Sequence, residues 1–137
     1  MGITHVKATV FNLANPSQQV EIEFVVDSGA VYTVIPERVL ASLDISPHSE
    51  RTFSLADGRR VTWPVGNAGF AIGPRQGASV VVFGRDDTPT LLGIATHEEL
   101  GLGLHPVHRE LIPLPLPLYR ASEPRIPWPL LWTGPTQ

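Results

Sequence analysis

An all-β fold with one or two short helices is predicted for this chain of 137 residues, and three features carry the prediction. Val20, Ile22, Phe24 and Val26 alternate with Gln19, Glu21, Glu23 and Val25, the period-two pattern of a half-buried strand. Asp57-Gly58 stands between two β-rich runs and signals a hairpin, because both residues tolerate positive φ. Val80 to Phe83 is continuously apolar, as a central strand should be.

Taken in order, residues 4 to 13 place Val6, Ala8, Val10 and Leu13 among polar neighbours and read as the first strand. Asn15-Pro16-Ser17-Gln18 is a turn cluster, so the run ending at Asp27 is the second arm of a hairpin. Val31 to Ile35 is a further β-rich run. Pro36 suits the first turn of a helix, where its missing N–H costs nothing, and Val39, Leu40 and Leu43 give that helix an apolar face. Thr52 to Leu55 and Arg60 to Val65 are the arms of the Asp57-Gly58 hairpin. Thr96 with Glu99 has the spacing of a capping box for a second short helix, which Gly101 or Gly103 can stop.

The last 25 residues differ in kind. Prolines at 113, 115, 117, 124, 127, 129 and 135 forbid a helix or a central strand and leave an extended path or an edge strand. Trp128, Leu130, Leu131 and Trp132 make this stretch too apolar for a solvated linker, so it is expected to pack on the protein or on a partner. The expected division is a domain over 1–118 and a Pro-rich apolar tail over 119–137.

Composition narrows the function classes. A mass of 14.9 kDa, 42% hydrophobic residues and mean hydropathy of +0.07 describe one globular domain with a modest core. The net charge of −3, with Lys7 and nine arginines dispersed apart from Arg59-Arg60, gives no footprint for nucleic acid or an anionic membrane. Without cysteine there are no disulfides and no thiolate metal sites. Met1 to Lys7 lacks an apolar signal core, and no apolar run reaches the roughly 18 residues of a membrane span. A cytoplasmic protein is expected.

Phe24-Val25-Val26-Asp27-Ser28-Gly29-Ala30 is the most informative segment. An apolar run delivers an acid to a turn with a hydroxyl residue and a glycine, a layout suited to a carboxylate at the floor of a cleft. The plain reading is a strand ending in an ordinary Asp-Ser-Gly turn. Leu91-Leu92-Gly93 follows, with Leu92 65 residues after Asp27 and a helical signal behind it. Together with Val34-Ile35-Pro36, Ala56-Asp57-Gly58-Arg59, Leu91-Leu92-Gly93-Ile94 and Glu99-Leu100-Gly101-Leu102, these motifs resemble the retropepsin-like aspartic proteases of clan AA, in particular the small prokaryotic single-lobe type. The resemblance covers about residues 5 to 115.

That resemblance implies closed, mostly antiparallel sheets and a C2 homodimer in which Asp27 of each copy activates one water. It gives Ser28, Gly29 and Ala30 the support of the Asp27 loop. It makes Ala56, Asp57, Gly58 and Arg59 a substrate-covering flap, and Leu91, Leu92 and Gly93 a subsite wall and its packing. Hydrolysis by carboxylates needs two of them sharing a proton. The chain has one Asp-Ser-Gly, and Asp87-Thr88-Pro89 has proline where glycine is required, so the second acid must come from another copy. No cofactor is implied; the expected partners are a second copy and a peptide or protein substrate.

Two positions depart from the retroviral pattern. Val31 and Ile94 stand where many retroviral enzymes pair an acid with an arginine, and an apolar pair can replace a buried ion pair at little cost. Substrate preference is therefore not inherited. His105 stands where similar bacterial chains often have an acid, and it has no functional reading from sequence. His97, His105 and His108 do not make a zinc site, since HExxH would need histidine at Gly101; they read as exposed helix and loop histidines. Ser-His-Asp hydrolysis lacks a Gly-x-Ser-x-Gly context. The competing functions are a non-catalytic peptide-binding or dimerisation module on the same fold, and a latent protease whose tail fills the cleft or dimer surface.

Overall fold

The computed structural model describes residues 4–115 and 117–118; the expected packing of the 119–137 tail lies outside the described residues. Eleven elements follow in order: β1 (Thr4–Phe11), β2 (Gln19–Val26), β3 (Thr33–Pro36), α1 (Glu37–Ser42), β4 (Ser49–Ser54), β5 (Arg60–Ile72), β6 (Arg75–Gly84), β7 (Leu91–Leu92), α2 (Ile94–Glu99), β8 (Leu102–Leu104) and β9 (Leu111–Pro113). The fold is all-β with two short helices, as the alternation pattern predicts.

Seven strands form one sheet in the order β1-β2-β7-β3-β6-β5-β4, and β1 pairs again with β5 through Thr9 to Phe11, closing the sheet on itself. Most pairings are antiparallel; β2 with β7 and β3 with β6 are parallel. Closure protects long edges that would otherwise template aggregation. The enclosed core contains Phe24, Phe70, Ile35, Leu40, Leu92 and Val10, each with no exposed surface. Phe24 and Phe70 meet with ring centroids 6.3 Å apart.

The β5–β6 hairpin is longer than the apolar runs at 60–65 and 80–83 suggest. Its outer part pairs small residues, with Ala68 opposite Ser79 and Gly69 opposite Ala78, which carry little β-propensity of their own. Burial selects the strand there, since Ala68 and Phe70 are fully enclosed. β3 starts at Thr33, two residues later than the β-rich run, because Val31 uses its carbonyl to accept from Ala95 N–H at 3.0 Å. Pro36 ends β3 and serves as the N-cap of α1 instead of lying inside its first turn.

The capping box expected from Thr96 and Glu99 does not form. α2 begins at Ile94 with Gly93 as N-cap, and Thr96 lies inside the helix, buried, with its hydroxyl bonded to Thr33 and Ser79. Buried hydroxyl partners outcompete an exposed cap, because an unmet buried polar group is costly. The helix ends where Gly101 N–H donates to Glu98 O at 2.9 Å. Beyond it, β8 and β9 form a separate two-stranded sheet that the sequence patterns do not announce. Among the described residues no helix is long and apolar enough to cross a membrane.

Candidate active site

Asp27 stands one residue past β2, where the strand leaves the sheet. Its backbone carbonyl accepts from Ala30 N–H at 2.9 Å, and its Oδ1 accepts from Gly29 N–H at 3.0 Å, so the Asp-Ser-Gly turn is held by its own acid. Asp27, Ser28 and Gly29 are exposed, while Val26 before them and Thr33 after them are buried.

The support beneath the loop is dense. Ala30 O accepts from Ile94 N–H at 2.9 Å and Val31 O from Ala95 N–H at 3.0 Å, which fastens the loop to the start of α2. These bonds use helix N–H groups that have no partner within a helix. Thr33 Oγ1 accepts from Gly93 N–H at 2.9 Å and lies 2.5 Å from Thr96 Oγ1, which is 2.9 Å from Ser79 Oγ. Gly93 lies directly on the backbone: a Cβ there would come within 2.3 Å of Tyr32 C, 2.4 Å of Val31 O and 2.6 Å of Thr33 N. No side chain fits.

Between this loop and the β4–β5 hairpin runs a groove of about 390 Å³. Gly29, Ala30 and Val31 line it on the loop side, and Phe53, Val61 and Trp63 on the hairpin side. Asp27 does not line it, and Ser28 instead borders a second cavity of about 340 Å³ with His97, Glu98 and His105. The wall expected from Leu91, Leu92 and Gly93 reduces to Leu91 on the groove side, because successive strand residues face opposite ways. Leu92 is core and Gly93 lies under the loop.

Ala56, Asp57, Gly58 and Arg59 form the hairpin tip and do not line the groove; the arms on either side do. Gly58 adopts φ +88°, and Gly58 N–H donates to Leu55 O at 3.0 Å. Asp57 accepts from Arg59 N–H at 3.0 Å and pairs with Arg59 Nε at 2.7 Å. Those two bonds, the backbone one first, hold the Asp57 carboxyl below its usual value.

Val31 is 53% exposed in the groove, whereas Ile94 borders the second cavity. The two therefore do not form a buried apolar pair in place of an ion pair. His97 is also corrected: it is buried at 4% exposure, with Nδ1 donating to Leu102 O at 2.9 Å, because this bond ties α2 to β8. His105 gains a local role that its sequence position does not disclose. Its Nδ1 accepts from the N–H groups of Val107 and His108, each at 3.1 Å, so it caps the turn between β8 and β9. Among the described residues no three His, Asp or Glu side chains are placed to hold a metal ion.

A family model described as aspartyl protease matches residues 6–96, from β1 into α2. The chain belongs to the aspartyl protease family. Its fold is the retropepsin-like one, and aspartic protease chemistry is the general function this membership supports. The match spans the Asp27 loop, the β4–β5 hairpin and Leu91 to Gly93, and leaves β8 and β9 outside. No curated protein matches the chain.

Proposed function

We propose that this aspartyl protease is a homodimeric endopeptidase in which Asp27 of each copy faces the other across a two-fold axis and the pair activates one water. The observation that carries the reading is an exposed Asp-Ser-Gly turn whose loop is fastened from beneath to the start of α2 and to the buried Thr33. Gly29 strengthens it. A Cβ there would meet only Asp27 Oδ1, at 3.6 Å, an ordinary contact, so this chain's own packing does not demand glycine. That open side of Gly29 leaves room for a peptide or the second copy to approach the loop.

In this reading one carboxylate takes a proton from the water as it attacks the peptide carbonyl. The other, protonated, donates to the carbonyl oxygen, and the proton bound by the first passes to the leaving amine. Ser28 hydroxyls brace the pair across the axis, Gly29 and Ala30 form the floor, and the hairpin ending in 56–59 closes over substrate to exclude water. Residues 1–118 are the protease domain, and 119–137 a separate tail.

The test is a peptide library incubated with wild type and with Asp27→Asn, read by mass spectrometry. Wild type is expected to cut within peptides, and the variant, which keeps the fold but loses the base, is expected not to. Specific activity should also rise with protein concentration below the dimer dissociation constant. Cleavage that survives Asp27→Asn, or a monomer with full activity, overturns the proposal.

A further inference from the structure

The groove under the β4–β5 hairpin is lined mostly by apolar side chains, and the Arg51 guanidinium stands beside one of its lining residues, Tyr32. Strand alternation puts Arg51 and Phe53 of β4 on one face, with their cross-strand partners Trp63 and Val61 of β5. Phe53, Val61 and Trp63 line the groove. Tyr32, on the loop side, meets Phe53 edge-on with ring centroids 5.6 Å apart, and the Arg51 guanidinium carbon lies 5.7 Å from the Tyr32 ring centroid. Tyr32 thus touches both Phe53 and the Arg51 guanidinium, joining the apolar lining to a positive charge.

The carboxylates nearby leave that charge available. None lines the groove. Glu50 points to the opposite face of β4, and Asp57 at the tip is engaged by Arg59. Among the described ion pairs Arg51 has no partner. It is exposed, and stacking on Tyr32 holds its guanidinium in place without using its N–H donors.

We propose that this groove takes peptides that carry a bulky apolar residue and, two residues away, an Asp or Glu read by Arg51. The inference rests on the proteolytic reading of the same site. An extended peptide presents every second side chain on one face, about 6.6 Å apart. The Arg51 guanidinium lies 5.7 Å from the Tyr32 ring, within reach of a carboxylate two residues along from an apolar side chain held in the groove. The apolar side chain lies against Tyr32, Phe53 and Trp63, and the carboxylate reaches the guanidinium, whose planar fork suits it. Val31, apolar and exposed in the groove, adds no negative charge to repel it.

The experiment uses the full chain and peptides differing only in Glu, Gln or Lys placed two residues before or after a central Leu or Phe. Wild type is expected to favour Glu over Gln by about fivefold in kcat/KM on one of the two sides, mostly through KM and less at high salt. Arg51→Gln should bring that ratio to one, and Arg51→Glu should invert it in favour of Lys. Equal cleavage of Glu and Gln peptides by wild type overturns the inference, as does a preference unchanged in Arg51→Gln. Binding of the same peptides to Asp27→Asn, read by fluorescence anisotropy, separates the two readings. Glu-selective binding with no cleavage by wild type sinks proteolysis and keeps the recognition; cleavage without Glu selectivity does the reverse.

Discussion

Gly93→Ala is the sharpest test of how the Asp27 loop is held. The added methyl would meet Tyr32 C at 2.3 Å, Val31 O at 2.4 Å and Thr33 N at 2.6 Å, all backbone atoms that cannot rotate aside. Forcing a methyl into a packed site costs about 1–3 kcal/mol. The backbone shift also pulls Gly93 N–H from Thr33 Oγ1, and leaving buried groups unmet costs about 1–3 kcal/mol more. Taken together, roughly 4 kcal/mol should lower the melting temperature by roughly 15 °C for a domain of this size. Gly58→Ala is the control: nothing lies within 4 Å of its Cβ, so only the φ of +88° is penalised, by about 1–2 kcal/mol. Calorimetry at one fixed protein concentration compares the two, since any dimer makes melting depend on concentration. A Gly93→Ala protein that melts within about 3 °C of wild type, under 1 kcal/mol by the same conversion, would falsify the packing argument.

Three further outcomes follow from the same structure. Thr33→Val removes the hydroxyl that receives Gly93 N–H and meets Thr96, and should cost about 2–3 kcal/mol in urea unfolding with an unchanged m-value, whereas Thr33→Ser keeps the hydroxyl and loses one buried methyl, about 1 kcal/mol; equal midpoints for the two would discard the hydroxyl network as a support. The Asp57 carboxyl has a folded value below its unfolded one, so its hold on the hairpin tip is complete above about the usual 3.8 and is lost as pH falls through the lowered value. Amide shifts of Gly58 and Arg59 should therefore be flat from pH 7 to 5 and move only below that, and a transition near neutrality would contradict the assignment. Truncation after Leu118 deletes Trp128, Leu130, Leu131 and Trp132 and should lower the melting temperature or leave a sticky surface; unchanged melting and solubility would mean that the segment covers nothing.

Much of this fold was legible because its strands obey simple patterns. The alternation of Val20 to Val26, the Asp57-Gly58 turn and the apolar Val80 to Phe83 each describe a local demand of backbone and burial. Asp27-Ser28-Gly29 alone reads equally well as an ordinary turn; its order and spacing relative to Asp57-Gly58 and Leu91-Leu92-Gly93 made it stand out. What stayed hidden depends on contacts between distant residues. Thr96 looked like a helix cap because its partners, Thr33 and Ser79, lie 63 and 17 residues away. His97 looked exposed because its neighbours are polar, yet the turn at Gly101 brings Leu102 O onto its ring. The contact of Tyr32 with Arg51 and Phe53 joins a hairpin arm to a loop, and no local pattern encodes that meeting.

The two residues of β7 have a consequence for the order in which the chain acquires its chemistry. Leu91 and Leu92 pair with Val25 and Val26, and Leu91 also pairs with Val34, so one short segment clasps both sides of the Asp27 turn. The β1–β2, β4–β5 and β5–β6 hairpins join neighbouring stretches and pay little loop entropy to form. The clasp must wait for a return across some 65 residues, and such long-range closures come late. A nascent chain therefore carries Asp27 without its seat until β7 has been made and docked. By then the β1–β2, β4–β5 and β5–β6 segments can already be paired into hairpins, so Asp27 takes its seat on a sheet that is largely formed.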